Sequence, residues 1–160
     1  FGSFIPHNYL LKKSIFVNKM GVYIAIDFGK KLTGLAHTDS LKIIASGLTT
    51  LETQKVIPFL SDYQKEIEIE KFVVGQPKQR DGNDSEVEKE ILLFVIQLQN
   101  AFPNILIARQ DERFTSKMAF KSLIETGAKK KTRKNKAVLD EISATLILRS
   151  FLESNSKLIL

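Results

Sequence analysis

Short apolar runs separated by turn residues predict five β-strands in this chain. The predicted strands cover residues 22–28, 32–38, 41–48 and 71–75, and a fifth begins with residues 105–108 and runs into residues 111–114. Short turns join the first three strands, which is typical of an antiparallel meander, whereas a helical pattern precedes each of the last two. The order predicts one mixed five-stranded sheet, in which parallel strands lie beside a three-stranded antiparallel meander.

Apolar residues spaced three and four apart predict helices between and after these strands. The predicted helices cover about residues 52–66, 85–101, 115–125 and 136–153. We expect Pro58 to shorten or kink the first of them. Ser85 and Glu88 form a capping-box pattern at the start of the second. Helices in these positions cover both faces of the sheet, so the predicted fold class is α/β.

The absence of cysteine and the scarcity of histidine narrow the possible chemistry. The 160-residue chain has no cysteine and only two histidines, which excludes disulfides, zinc ribbons, iron–sulfur clusters and thiol catalysis. A bound metal would therefore be held mostly by oxygen ligands, which points to Mg²⁺ or Mn²⁺. The net charge of +6 favours a polyanionic partner such as nucleic acid.

The first residues of the chain differ in composition from the rest, because they contain lysines but no acid. We interpret residues 1–19 as an N-terminal extension outside the core, residues 20–154 as one domain and residues 155–160 as a C-terminal tail. No apolar run approaches the roughly 20 residues that a membrane helix needs. We therefore expect no membrane partner and a cytoplasmic location.

Carboxylates stand at unexpected places in the predicted elements. Asp27 ends the first strand, and Asp111 and Glu112 end the last one. Asp140 lies near the start of the final helix, on its apolar stripe. Each has a structural explanation of its own: hydrogen bonds to turn amides, an ion pair with Arg113, or the helix dipole. If these carboxylates converge they repel each other, and a divalent cation would remove that repulsion. Metal ions bridged by carboxylates are a means of cleaving phosphodiesters.

Four sequence blocks resemble the YqgF family, which is also called RuvX. The blocks are residues 25–36 (AIDFGKKLTGLA), 73–77 (VVGQP), 111–116 (DERFTS) and 140–148 (DEISATLIL). Their order and spacing also agree with the family, and together they cover about residues 20–153. The first block alone is weak, because sugar kinases and Hsp70-type ATPases carry a similar turn. A complete ATPase of that kind needs two such domains, and this chain is too short for them.

The resemblance implies an RNase H-like fold and a metal-dependent nuclease. By position, Asp27, Glu112 and Asp140 would be the catalytic, metal-binding set. Asp111 is the alternative to Glu112, although strand alternation puts the two on opposite sides of the backbone. The chain lacks an acid at the end of its central strand, where residues 75–77 read Gly-Gln-Pro, so Glu112 would take that place.

Basic residues near these blocks are candidates for contacts with the phosphate backbone. The candidate nucleic-acid-binding residues are Lys30, Lys31, Arg113, Lys129, Lys130, Lys131, Arg133 and Lys134. The alternative for those beyond residue 128 is an ordinary solvated loop, and Arg113 has Asp111 as an alternative partner.

Our leading hypothesis is a Mg²⁺- or Mn²⁺-dependent endonuclease acting on structured RNA. The resemblance favours the 5′ end of precursor 16S rRNA as its substrate. One alternative is a resolvase of branched DNA (Holliday junctions), which would act as a dimer. A second is a non-catalytic nucleic-acid-binding factor with the same fold. We expect a monomer or a weak homodimer.

Overall fold

A computed structural model describes residues 20–79, 81–113, 121, 125 and 135–156. The strands are β1 (Val22–Asp27), β2 (Leu32–Thr38), β3 (Ala45–Glu52), β4 (Ile69–Gln76) and β5 (Leu106–Asp111). A 3₁₀ turn covers Thr53–Lys55, and the helices are α1 (Val56–Tyr63), α2 (Glu88–Ala101) and α3 (Lys136–Ser156). Most of the helix predicted over 115–125 lies outside the described residues. None of the described helices is long and apolar enough to cross a membrane.

The five strands form one sheet in the order β3-β2-β1-β4-β5. β1 pairs antiparallel with β2, and β2 pairs antiparallel with β3. β4 is parallel to both β1 and β5. The predicted mixed five-stranded sheet is therefore confirmed. Because β1, β4 and β5 run in one direction, their carboxyl ends meet at the same edge of the sheet.

Each face of the sheet has its own hydrophobic core. One face carries Ile24, Ile26 and Phe72 and is covered by α1 and α2. The opposite face carries the smaller Ala25 and Ala36 and is covered by α3. The small side chains let the long helix lie close against the centre of the sheet, which brings its first turns near the end of β1.

The third strand begins later than predicted. The prediction of 41–48 is wrong because the chain is still turning between β2 and β3. The Asp39 carboxylate accepts hydrogen bonds from the amides of Ile43 (2.8 Å) and Ile44 (2.9 Å). Lys42 in the same turn has a positive φ of 56°. This side chain–backbone closure delays strand pairing until Ala45.

The predicted capping box at the start of α2 is also wrong. The helix begins at Glu88 without a side-chain cap, and Ser85 Oγ is buried without a hydrogen-bond partner. The Glu88 carboxylate instead accepts two hydrogen bonds from Arg109 of β5, at 2.7 and 3.0 Å. A charge-assisted bidentate pair is stronger than a bond to a backbone amide, so the arginine takes the carboxylate.

Candidate active site

Asp27 and Glu112 lie on the face of the sheet that α3 covers. Asp27 is the last residue of β1 and follows Ala25 by two residues, so both side chains point to the same face. Glu112 comes directly after β5 and shares the face of Ala108 by the same alternation. Its amide donates a hydrogen bond to the carbonyl oxygen of Gln76 (3.2 Å), which holds it beside the end of β4.

The carboxyl groups of Asp27 and Glu112 are hydrogen-bonded to each other. Burial raises the pKa of Glu112 to about 9, and the charge and hydrogen bond of Asp27 act in the same direction. Burial also raises the pKa of Asp27 to about 6, although the hydrogen bond from Glu112 opposes that rise. At neutral pH the two carboxyl groups therefore share one proton.

Gly75 near the end of β4 provides the space for the Glu112 carboxyl group. A methyl group at Gly75 would lie 2.7 Å from Glu112 Oε2 and 2.8 Å from Ile147 Cδ1. β4 thus presents no side chain at Gly75, and the carboxyl group of Glu112, which follows the neighbouring β5, occupies the space. This arrangement accounts for the missing acid at the end of the central strand.

Gly34 in β2 provides the space for the α3 backbone at Asp140. Its backbone is directly opposite Asp27 in the β1–β2 register. A methyl group at Gly34 would lie 2.2 Å from the carbonyl oxygen of Asp140, a contact that the helix backbone could not accept. Glycine at this position therefore lets the second turn of α3 touch the sheet next to Asp27.

Asp140 belongs to the same electrostatic group as the carboxyl pair. Its Oδ2 atom is buried without a hydrogen-bond partner, and Lys136 Nζ is 3.7 Å away. At that distance the contact is an ion pair rather than a hydrogen bond. Burial raises the pKa of Asp140 although Lys136 lowers it, and the charge of Asp140 raises the pKa of Asp27.

Asp111 points away from this group. Its carboxylate pairs with Arg113, with Nη2 and Oδ2 2.8 Å apart, and it also accepts the Arg113 amide hydrogen bond. Partial burial acts to raise the pKa of Asp111, but the amide and guanidinium of Arg113 outweigh it and the pKa is lowered. The backbone alternation expected from the sequence therefore separates Asp111 from Glu112.

The donor chemistry of the site suits a hard divalent cation. Within the described ranges, no three acidic or histidine side chains already stand in a group able to hold a metal ion. The pair of carboxyls that shares a proton, and the buried Asp140 oxygen without a hydrogen-bond partner, nevertheless supply only oxygen ligands. Such ligands fit Mg²⁺ or Mn²⁺, and a bound cation would take the place of the shared proton.

The basic candidates are distributed around the site. Lys31 is exposed in the turn after Asp27, and Lys30 of the same turn pairs with Glu90 at 2.8 Å. Arg113 is engaged by Asp111. Lys129, Lys130, Lys131, Arg133 and Lys134 lie outside the described residues. Sequence reasoning did not select Lys136, although its spacing of one helical turn from Asp140 was a usable signal.

The strand order of the sheet identifies the fold class. A mixed sheet of this strand order, with helices on both faces, is the RNase H-like fold. The solved structure described as T. thermophilus RuvC in complex with Holliday junction substrate has the same fold. It matches with a TM-score of 0.50 at 14% identity, over 85% of this chain and 96% of that chain.

Sequence comparison gives the family. A model of the RuvX family, described as Holliday junction resolvase, matches residues 21–154. A protein of Flavobacterium psychrophilum is 51% identical over 129 residues, which cover 81% of this chain and 94% of that protein. A protein of Christiangramia forsetii is 50% identical over 133 residues, which cover 83% of this chain and 98% of that protein. Both relatives carry the name "Putative pre-16S rRNA nuclease".

The chain belongs to the RuvX family, which confirms the resemblance of the four sequence blocks. It is therefore a phosphodiester-cleaving nuclease with nucleic acid as its substrate.

Proposed function

We propose that this protein is a Mg²⁺- or Mn²⁺-dependent endonuclease that processes the 5′ end of precursor 16S rRNA in the cytoplasm. The contact between the Asp27 and Glu112 carboxyls, beside the buried oxygen of Asp140, is the observation that carries the proposal. The names of the two relatives support the RNA substrate. We propose that the protein acts as a monomer or a weak homodimer.

In this proposal Asp27, Glu112 and Asp140 are the metal ligands. A bound divalent ion would activate water and stabilise the leaving oxygen, giving a 5′-phosphate and a 3′-hydroxyl. Asp27 and Glu112 would give up their shared proton when the ion binds, and Asp140 would exchange its contact with Lys136 for the cation. Asp111 is the less suitable ligand because Arg113 already occupies it.

In the same proposal, the basic residues selected from the sequence bind the phosphate backbone of the substrate. These are Lys30, Lys31, Arg113, Lys129, Lys130, Lys131, Arg133 and Lys134. Lys30 and Lys31 are supported by their position in the turn that follows Asp27.

The test is cleavage of a precursor 16S rRNA fragment with Mg²⁺ or Mn²⁺. We expect Asp27→Asn and Glu112→Gln to slow cleavage by about a thousandfold or more, because each removes several kcal/mol of charge stabilisation. Asp111→Asn is the matched comparison, and it should retain most of the rate. Full activity of Asp27→Asn, or a larger loss from Asp111→Asn than from Glu112→Gln, would contradict the proposed ligand set.

A resolvase of branched DNA is the second candidate, because the family model carries that description. A four-way DNA junction assayed beside the RNA distinguishes the two. Symmetric cutting of the junction with the RNA left intact would replace RNA processing with resolution. RNA binding without metal-dependent turnover of either substrate would instead indicate a binding factor.

A further inference from the structure

An open cavity of about 830 Å³ lies next to the start of α3, where Lys136 lines it. The cavity is lined by three basic residues, Lys30, Lys31 and Lys136, and also by Leu32, Glu52, Thr53 and Gln54. The volume is within the roughly 300–1,000 Å³ that small-molecule sites occupy, so it can hold a single nucleotide. Lys136 joins the cavity to the proposed metal site, because its Nζ is 3.7 Å from Asp140 Oδ2.

The wall of this cavity is held in place by hydrogen bonds across the sheet end. Thr53 Oγ1 and the buried Thr33 Oγ1 are 2.8 Å apart. The Thr53 amide donates to the carbonyl oxygen of Lys31 (2.9 Å), which fixes the turn to the start of the 3₁₀ segment. The lysine turn and Gln54 therefore keep their relative positions without a ligand, and a preformed wall of this kind lowers the ordering cost of binding.

The charges around the cavity favour an anion at one end. Lys31 is exposed, and Lys136 meets Asp140 only at ion-pair distance. Glu52 also lines the cavity, and its Oε2 is already contacted by Gln54 Nε2 (3.2 Å) and Lys55 Nζ (3.4 Å). The amide nitrogen of Gln54 is thus engaged, while its carbonyl oxygen can accept from the amino group of a base.

We propose that this cavity holds one unpaired nucleotide of the substrate strand, next to the bond that is cut. Lys31 and Lys136 bind its phosphate, and its base lies against Leu32 with Gln54 at its edge. A base inside a stacked duplex cannot enter a concave site, so the cut must lie in or beside a single-stranded segment. The inference rests on the proposed function, since it names the form of substrate that the same site accepts.

Binding without cleavage tests the cavity directly. A fluorescein-labelled oligoadenylate and a duplex RNA of equal length are titrated with the protein in EDTA, and affinity is read as anisotropy at several salt concentrations. We expect Lys136→Gln to weaken oligoadenylate binding about tenfold, as the loss of one charge-assisted contact would. The slope of log affinity against log salt should fall by about 0.7, the value for one phosphate of a single strand. Duplex binding should change much less.

Lys65→Gln is the matched control. Lys65 is also an exposed lysine paired with an aspartate of its own chain segment, since its Nζ is 3.0 Å from Asp62 Oδ1, but it does not line the cavity. Equal effects of Lys136→Gln and Lys65→Gln would overturn the proposal. So would equal losses of single-stranded and duplex affinity in Lys136→Gln. Thermal unfolding of each variant verifies that the protein remains folded.

Gln54→Ala tests the contact with the base separately from the contacts with the phosphate. It should weaken oligoadenylate binding while leaving the salt slope unchanged, because no ionic contact is lost. An unchanged affinity would show that the base does not bind in the cavity and would overturn the proposal. These measurements use no metal. If the variants change binding as described but the protein leaves precursor rRNA intact, the proposed function is refuted and the nucleotide site is supported. If the protein cleaves precursor rRNA but the variants do not change binding as described, the nucleotide site is refuted and the proposed function is supported.

Discussion

Replacing Glu112 with glutamine should stabilise the metal-free protein while abolishing its activity. Glutamine has nearly the same shape as a protonated glutamate and can donate an amide hydrogen bond to Asp27. It carries no proton that must be taken up on folding. The wild-type pair does require one, because burial and the charge of Asp27 raise the pKa of Glu112 to about 9.

The magnitude follows from proton linkage. The ordinary glutamate pKa of 4.5 describes the unfolded chain, so at pH 7 Glu112 is ionised before folding and protonated after it. Each pH unit between the unfolded pKa and the working pH costs about 1.4 kcal/mol, which gives an upper limit of about 3 kcal/mol at pH 7. Partial exposure and the coupling to Asp27 reduce this, so we expect Glu112→Gln to gain about 1–3 kcal/mol. In a chain of this size the melting temperature would rise by about 2–4 °C per kcal/mol.

The sign of the pH dependence gives a second, independent readout. An acid whose pKa is raised in the folded state favours folding most below its unfolded pKa. That contribution is lost as the pH rises from 4.5 towards about 9. Urea unfolding midpoints in EDTA, measured across this range, should therefore fall for the wild type and much less for Glu112→Gln. The exposed Glu66→Gln is the control and should follow the wild type.

Adding the metal should reverse the order of stability. Mg²⁺ or Mn²⁺ binds only the folded site, so a saturating concentration raises the wild-type midpoint. Glu112→Gln lacks one of the proposed ligands and should gain less. A variant less stable than wild type in EDTA, or one that keeps the full pH slope, would refute the account of the carboxyl pair.

Three further substitutions test the surroundings of the site. Gly34→Ala puts a methyl group against the carbonyl oxygen of Asp140 in the α3 backbone, so we expect the free energy of unfolding in urea to fall by about 1–3 kcal/mol and cleavage to weaken. Gly75→Ala meets the flexible Glu112 carboxyl at 2.7 Å. The free energy of unfolding should change by less than about 1 kcal/mol, whereas metal-dependent cleavage should fall, and unchanged cleavage would contradict the role of Gly75. Arg109→Met leaves the buried Glu88 carboxylate without its cation, and urea unfolding should show a loss of about 3–5 kcal/mol.

Much of the sheet could be predicted from the sequence, because strand alternation is a local property. The runs around Ile24, Leu35 and Val73 are apolar on both faces, which identifies central strands. The start of β3 could not be predicted from hydrophobicity, because the side chain of Asp39 decides it by closing a turn over the apolar Ile43 and Ile44. The failed capping box has a similar cause, since the partner of Glu88 lies far along the chain in β5.

The candidate site was predictable only in part. The sequence placed Asp27 and Glu112 at strand ends, and parallel strands end at one edge, so their meeting could be expected. It could not indicate what Gly34 and Gly75 are for. A glycine in a strand is informative only once the atoms that approach it are known, and here they come from α3 and from the residue after β5.

Because the Glu112 carboxyl comes from the end of β5 and not from β4, the geometry of the site depends on contacts on the opposite face of the sheet. Glu112 can fill the space above Gly75 only while the end of β5 stays in register with β4. Arg109 maintains that register from the other face. Its guanidinium donates to the carbonyl oxygens of Gly75 (3.0 Å) and Val74 (3.3 Å) and also grips Glu88 at the start of α2. An acid on β4 itself would need no such support, whereas this site relies on an ion pair that lies on the opposite face of the sheet from the carboxylates.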